Sequence, residues 1–311
     1  MGKGSGFGKV ILFNEHFVVY GVPGIVSAID SKAYAETRKA GRAITVRDER
    51  KGSNGYTEKK RTQQKDSIDR MLKIMGFSLE EVALEIQLGG NLPGFSGIGA
   101  SAASSVAIAR AIAEEFNLGL SDERINEIAY EAEKAYAGTP SGIDNTAATF
   151  GGLIWFKRAS HGKPNKIEKL NIIEPVEIVI GNTGIVADTK EMVAGVAARR
   201  KKNPDKYDLL FEQAENLVLK GRKALGDFDL EKVGELMNDN HLLLQEIKVS
   251  CRELDHLVNV ARIEGAFGAK LTGGGGGGCM VALTPGRELQ ERVAATIEKK
   301  GFKVLKTKIG I

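Results

Sequence analysis

The chain has 311 residues, with 44 basic and 40 acidic side chains, and its formal charge of +4 is too small to argue for a polyanionic partner. The basic runs Lys59–Arg61 and Arg199–Lys202 have no aromatic residues interleaved to stack on bases, so they read as solvated helix faces and nucleic acid is not expected. Two distant cysteines, Cys251 and Cys279, make no disulfide framework, and no run reaches the roughly 18 apolar residues of a membrane span; with no leader-like pattern at the start, a reduced, cytoplasmic setting without membrane contact is expected.

Glycine is the unusual component, with 38 residues, and three concentrations stand out, at Gly2–Gly8, Gly89–Gly99 and Gly273–Gly278. Lys9–Phe13 and Phe17–Tyr20 are β-branched and aromatic, which predicts two strands, and Gly24–Asp30 and Ala43–Arg47 continue that character. Gln63–Met75 reads as a helix: Ile68, Met71, Leu72 and Met75 share a face, and Gly76 sits where a C-cap belongs. Val82–Leu88 alternates like a half-buried strand. Ala102–Phe116 is small and apolar on nearly every side, which suits a buried helix. Asp122–Tyr136 is a helix with Ser121 as N-cap and acids in its first turn. Gly138–Asn145 reads as a loop leading to a strand at Gly152–Phe156.

From Val176 the order changes. A strand at Val176–Gly181 precedes helical patterns at Lys190–Lys202, Leu209–Leu225, Leu230–Gln245 and Glu253–Glu264. Strands at Ala266–Thr272 and Cys279–Leu283 flank the six-glycine run, then a helix at Glu288–Lys300 and a strand at Phe302–Lys308 close the chain. With the helices taken as one expanded crossover, this is the β-α-β-β-α-β order. The expected organisation is two α+β domains, 1–170 and 171–311, with a boundary near Asn165–Glu174 and a ligand cleft between them.

Several residues carry chemistry. Gly94-Phe-Ser-Gly-Ile-Gly-Ala-Ser101 has a strand leading in and a helix leading out. Glycines let backbone approach phosphate oxygens, the helix start offers unpaired N–H groups, and Ser101 adds a hydroxyl for metal or phosphate. A tight turn without a ligand would look the same. GxxxxGK[ST] is absent, since Val10 follows Gly8-Lys9 where Ser or Thr is needed, and the protein-kinase HRD and DFG elements are absent too. Asp144, among small residues, could accept a proton from an alcohol or serve as an Asx-turn residue. Glu133 lies on a helix edge with Ala129 and Tyr136, where an acid is costly unless paired, metal-bound or reaching water. With Ser101 it makes a plausible Mg²⁺ pair. Lys9 opens the first strand as a surface residue or as a cation near a transferring phosphate. Six glycines exceed what a hairpin needs, so Gly273–Gly278 reads either as a flexible loop or as backbone lying flat against something.

Taken together, these segments resemble the GHMP kinases, and among them the mevalonate kinases most. Gly8–Gly21 looks like the first family motif, Pro93–Ala103 like the second, and Lys270-Leu-Thr with Gly273–Cys279 like the third. Gly138–Asn145 is similar to the aspartate loop, and Asn182–Thr189 to a segment whose Thr lies near substrate. The resemblance implies an α+β fold of two domains: a ribosomal protein S5 domain 2-like N-terminal domain that binds ATP, and a ferredoxin-like C-terminal domain. It implies Asp144 as catalytic base with Lys9 beside it, and Ser101 and Glu133 as Mg²⁺ ligands. It implies a phosphate cradle drawn from Pro93, Gly94, Ser96, Gly97, Ile98, Gly99, Ala100, Ser101 and Ala102. Glu15, His16, Thr189, Gly273 and Gly274 would line the acceptor pocket, with mevalonate as the acceptor and ATP and Mg²⁺ as cofactors; a homodimer is left open. Four positions depart from the family pattern: Phe7, Asn14, Ala137 and Gly274. Asn14 stands where Gly is usual and would have to tolerate positive φ.

Overall fold

A computed structural model describes residues 1–41, 43–50, 58–159 and 164–311, with the side chains of Glu58 and Lys59 outside the described set. The Lys59 end of the first basic run therefore lies outside it too. The described chain forms two compact units that interleave in sequence. The first comprises Met1–Lys9, Asp30–Gly94 and Gly99–Gly151; the second comprises Val10–Ile29, Phe95–Ile98 and Gly152–Ile311. Strands β1 (Gly2–Phe13) and β2 (Gly24–Lys39) each contribute to both.

In the first unit, β1 pairs with β2, and β2 runs antiparallel to β4 (Leu84–Gly90), from Ala33 opposite Gly90 to Lys39 opposite Leu84. A short β3 (Thr45–Asp48) lies parallel to β4 at the edge. Helices α1 (Glu58–Ile74), α2 (Ala100–Glu115), α3 (Asp122–Ala137) and α4 (Ile143–Phe150) pack on one another. The first glycine cluster lies within β1. A Cβ at Gly2, Gly4 or Gly6 would land on the carbonyl oxygen of Ala111, Ala107 or Ala103 respectively. Alternate glycines on one face of the strand thus let α2 rest backbone against backbone. Its alanines and serines keep that approach close, and eleven residues of the helix are buried.

In the second unit, the start of β2 pairs with β5 (Leu153–Lys157), which pairs in turn with β6 (Lys166–Leu170). A four-stranded antiparallel sheet follows the order β10 (Lys303–Ile309), β7 (Val176–Asn182), β9 (Cys279–Leu283), β8 (Gly268–Thr272). Numbered within this half of the chain that order is 4-1-3-2, the arrangement the β-α-β-β-α-β reading calls for. Helices α8 (Arg252–Ile263) and α9 (Arg287–Lys299) cover the sheet. Between β7 and α8 come α5 (Thr189–Lys202), α6 (Pro204–Gly226) and α7 (Leu230–Glu246). Helix α7 meets β8 through facing glycines, Gly234 and Gly268, with no room for a side chain on either. No helix among the described residues is long and apolar enough to cross a membrane.

Three local expectations need correction. Phe17–Tyr20 is a single 3₁₀ turn closed by Gly21 at φ 85°, not a strand. The chain turns sharply at Asn14 (φ 73°), and Phe17 and Tyr20 both meet the ring of Phe211 edge-on at 5.1 Å. Positions three apart eclipse on a 3₁₀ helix but point to opposite faces of a strand, so one aromatic anchor selects the turn. The segment after Gly142 is not loop as far as the strand: α4 starts at Ile143, and Ala147 and Ala148 are buried beneath it. β6 has mostly exposed or half-buried residues, so it lacks the alternation that would reveal it in sequence.

Candidate active site

In the first unit, four expected residues come together. Lys9 sits on β1 with its side chain 2% exposed, and its Nζ lies 3.0 Å from Oδ1 of Asp144, which is 36% exposed. Asp144 occupies the first turn of α4, where the helix dipole favours a carboxylate. The stem of Lys9 fills the space a Cβ on Gly99 would take, 2.7 Å from Lys9 Cγ. Gly99, at φ 72°, precedes α2 and offers no side-chain cap. The first N–H groups of that helix are thus left to a ligand, and they sit at the positive end of its dipole.

Ser101 and Ser105, one turn apart on α2, face Glu133 on α3. Ser101 Oγ donates to Glu133 Oε2 at 3.1 Å, and Ser105 Oγ approaches Oε1 at 3.5 Å. Burial pushes the Glu133 carboxyl up to about 8, and the negative charge of Asp144 adds to the rise. The two serine hydroxyls and Lys9 oppose it without cancelling it. A buried carboxyl beside hydroxyls is a hard-oxygen donor set suited to Mg²⁺ that is also bound by phosphate. No cluster of three or more His, Cys, Asp or Glu that could hold a metal occurs among the described residues.

The cradle residues divide by burial. The side chains of Ile98 and Ala102 belong to the core, so only their backbone could meet a phosphate, whereas Pro93, Gly94, Ser96, Gly97 and Ala100 are half-buried. Within the second unit, Phe95–Ile98 lies on the glycine run. Gly97, at φ 99°, has no space for a Cβ, which would stand 2.7 Å from the Thr272 carbonyl. A Cβ on Gly273 would be 2.5 Å from Gly97 Cα, and one on Gly278 3.0 Å from the Ser96 carbonyl. The rest of the run is covered as closely: Gly274 by Thr189, Gly275 by the Val249 carbonyl, Gly276 by Ala187 and Met192, and Gly277 by Ile185. The run is not a loose hairpin loop: it lies flat, as one sequence reading had it, but against protein, where that reading looked to phosphate or substrate.

The residues expected to line the acceptor pocket all lie in the second unit. His16 Nε2 is 2.8 Å from the Gly274 carbonyl, so Nε2 carries the proton; Nδ1 is buried without a hydrogen-bond partner among the described residues. Burial lowers the His16 pKa, the Gly274 bond acts against this, and the charge of Arg199 adds to the lowering. Thr189 places its Oγ1 2.6 Å from where a Cβ of Gly274 would stand, so His16, Gly274 and Thr189 meet. Glu15 is buried, and its carboxylate pairs with Lys270. Asn14 does adopt positive φ. Its Nδ2 donates to the Pro23 and Ala214 carbonyls at 2.8 and 2.9 Å, and its Oδ1 accepts from Asn240 at 3.0 Å.

Sequence reasoning gave Lys270 no role beyond its motif, and it missed Asn240 and the group in which Asp255 meets His241 Nε2 at 3.0 Å and accepts from Ser250. Asn240 lies 226 residues from Asn14, and nothing local announces it. Lys270 carried a signal: a lysine between Ala269 and Leu271 in a strand with every residue buried needs a counter-ion.

Family models for the GHMP kinases match this chain twice, the N terminal domain at residues 65–152 and the C terminal domain at 222–303. Mevalonate kinase from Pyrococcus horikoshii is 36% identical over 94% of this chain and 91% of its own length. The Archaeoglobus fulgidus mevalonate kinase is 32% identical over 96% and 97%. The crystal structure of L. major mevalonate kinase in complex with R-mevalonate superposes with a TM-score of 0.92 at 37% identity, covering 99% of this chain and 96% of that one. A Lactococcus lactis galactokinase complexed with galactose, at 20% identity and a TM-score of 0.72, shares the fold. The sequence matches, the two-unit α+β fold and the ordered site residues agree, and the chain belongs to the GHMP kinase family.

Proposed function

We propose that this protein transfers the γ-phosphoryl group of ATP to the 5-hydroxyl of mevalonate, giving 5-phosphomevalonate and ADP. The observation that carries the reading is the Lys9–Asp144 pair, 3.0 Å apart, beside a helix start that no side chain caps. Relatives named mevalonate kinase match at 34–36% identity over nearly the whole chain, which supports the choice of acceptor.

In this reading the N–H groups at the start of α2 and the backbone of Gly97–Ser101 hold the ATP phosphates. Asp144 takes the proton of the 5-hydroxyl. The freed oxygen forms its bond to the γ-phosphorus as the bond to the β–γ bridging oxygen breaks, and ADP leaves with that electron pair. The Lys9 ammonium stabilises the charge that develops between them. Phosphoryl transfer depends mainly on positioning and charge, so this small set of side chains is enough. Ser101 and Glu133 would hold Mg²⁺, which supplies charge neutralisation on the phosphates. His16 and Thr189, with the Gly273–Gly274 backbone, orient the acceptor. The N-terminal domain, 1–170, carries the nucleotide chemistry, and the ferredoxin-like domain is 171–311. The setting is cytoplasmic.

An ADP-release assay with ATP, Mg²⁺ and a panel of alcohols tests the reading. Turnover with mevalonate is expected. Turnover only with phosphomevalonate or homoserine would move the acceptor within the family, and nucleotide binding without turnover of any alcohol would make the protein a regulator.

A further inference from the structure

We propose that Lys270 is a positioning residue for the acceptor side of the site. It forms with Glu15 a buried ionic clasp that fastens the end of β1 to β8 and sets His16 against Gly274, and Glu15 serves the clasp instead of the acceptor. The proposal rests on the acceptor-side reading of His16 above.

The geometry is internal to the second unit. The Lys270 and Glu15 side chains are 0% and 1% exposed. The Lys270 ammonium donates to Glu15 Oε1, to the Leu271 carbonyl at 2.7 Å and to the Ile11 carbonyl at 3.4 Å. Ile11 answers from its own N–H, which donates to Thr272 Oγ1 at 2.9 Å. Two residues near the end of β8 thus grip β1 and the segment just beyond its end. His16 follows Glu15 directly, and its Nε2–H donates to Gly274, two residues past Thr272. The histidine is therefore held from both sides by segments that Lys270 joins. On the far side, the Leu271 N–H donates to His241 Nδ1 at 3.3 Å, so β8 is itself held in place.

Two arguments give the clasp a positioning role. A buried ion pair can often be replaced by apolar side chains with no loss of stability, so stability alone is a weak reason for one here. A carboxylate 1% exposed and turned to an ammonium presents little to a small ligand, whereas His16 Nδ1 is a buried acceptor without a hydrogen-bond partner among the described residues.

The test uses Lys270→Met, Glu15→Gln and the double variant in the full chain, with KM for mevalonate and for ATP measured separately. Each single variant removes one half of the buried ion pair. Each is expected to raise the mevalonate KM by about tenfold or more while the ATP KM stays within about twofold. The double variant restores neutrality, and the amide introduced by Glu15→Gln can donate to the carbonyls the ammonium leaves. Its mevalonate KM is expected within about threefold of the unaltered protein. Destabilisation alone would lower the active fraction and leave both KM values in place. A double variant as poor as Glu15→Gln would show that the Glu15 carboxylate itself binds the acceptor and would overturn the proposal, as would equal shifts in both KM values. If the single variants do not fold, the mevalonate KM of the double variant decides. If the unaltered protein phosphorylates another alcohol but not mevalonate, the acceptor assignment fails, and the same variants are read on that alcohol.

Discussion

The two groups of site residues are built on opposite electrostatic plans. In the first unit, Glu133 is buried with hydroxyls for hydrogen-bond partners, and burial disfavours its charged form. In the second unit, the buried charge is already neutralised within the chain, Glu15 against Lys270, and the buried imidazole of His241 is held neutral. The first group resembles a socket that its ligands complete. In the second, the ionised side chains of Glu15 and Lys270 pair within the chain. The contrast shows that one chain can bury a carboxyl among hydroxyls in one unit and an ion pair in the other.

The largest expected effect bears on the first group. Asp144→Asn keeps the size of the side chain and removes the base. It should lower kcat by about 10³-fold or more while ATP still binds, measured by ADP release and by calorimetric titration. Unchanged turnover would remove Asp144 from the chemistry.

The two plans also predict opposite pH slopes for stability. The folded-state pKa of Glu133, about 8, lies above its ordinary 4.5, so the folded protein holds a proton that the unfolded chain has released. Stability from this group is complete below about pH 4.5 and falls as pH rises to about 8, by roughly 3–5 kcal/mol in metal-free solution. Glu133→Gln should abolish that alkaline slope in chelator-treated protein, read by urea unfolding, while costing activity about 10²-fold. An unaltered slope would put the unfavourable charge elsewhere.

His241 runs the other way. Burial, with help from Lys270 and Arg262, lowers its pKa to about 4 against the pull of Asp255. Above about pH 6.5 the ring is neutral whether folded or not. As pH falls from 6.5 to 4 the unfolded chain takes up a proton that the folded one refuses, and stability drops by about 3 kcal/mol. His241→Gln should flatten that acid limb, and the measurement is again urea unfolding, at pH 4.5 against pH 7. A limb of unchanged depth would break the comparison.

The smallest effect expected is at Gly97. Alanine there would carry a Cβ 2.7 Å from the Thr272 carbonyl at a φ of 99°. It should cost about 2 kcal/mol of stability and loosen the glycine run against the turn, seen as a lower Tm and a raised ATP KM.

How much of this was legible beforehand depended on the range over which each signal acts. Helices with a clear apolar face, such as Asp122–Tyr136, and the strand at Cys279–Leu283 were readable within a residue or two because their signal is periodic and local. Lys9 and Asp144 were recognisable by motif, but their 3.0 Å approach joins residues 135 positions apart, and only the fold provides it. Phe17–Tyr20 misled because four apolar residues in a row fit a strand and a 3₁₀ turn equally, and the decision belonged to Phe211, nearly 200 residues away. α4 was hidden because Gly142-Ile143-Asp144 reads as a turn, and the burial of Ala147 and Ala148 that makes it a helix is tertiary. Glu15 was assigned to the pocket by its motif, and its pairing with Lys270 was not read, although a lysine in an apolar strand calls for a partner.

The glycine contacts of β1 have a further consequence. Each step of two residues along the strand, from Gly2 to Gly4 to Gly6, matches a step of four residues back along α2, from Ala111 to Ala107 to Ala103. Two strand residues span about 6.7 Å and four helix residues about 6.0 Å, so the two elements mesh like a rack and pinion with little slip over three teeth. The meshing stops there: three residues beyond Gly6 the strand reaches Lys9, whose stem fills the place of the missing side chain at Gly99, four residues back along the helix. The strand that carries the lysine is thus seated on the same helix along its length. A single-residue deletion at Gly4 or Gly6 would bring Lys3 into a glycine slot and push the strand off the helix.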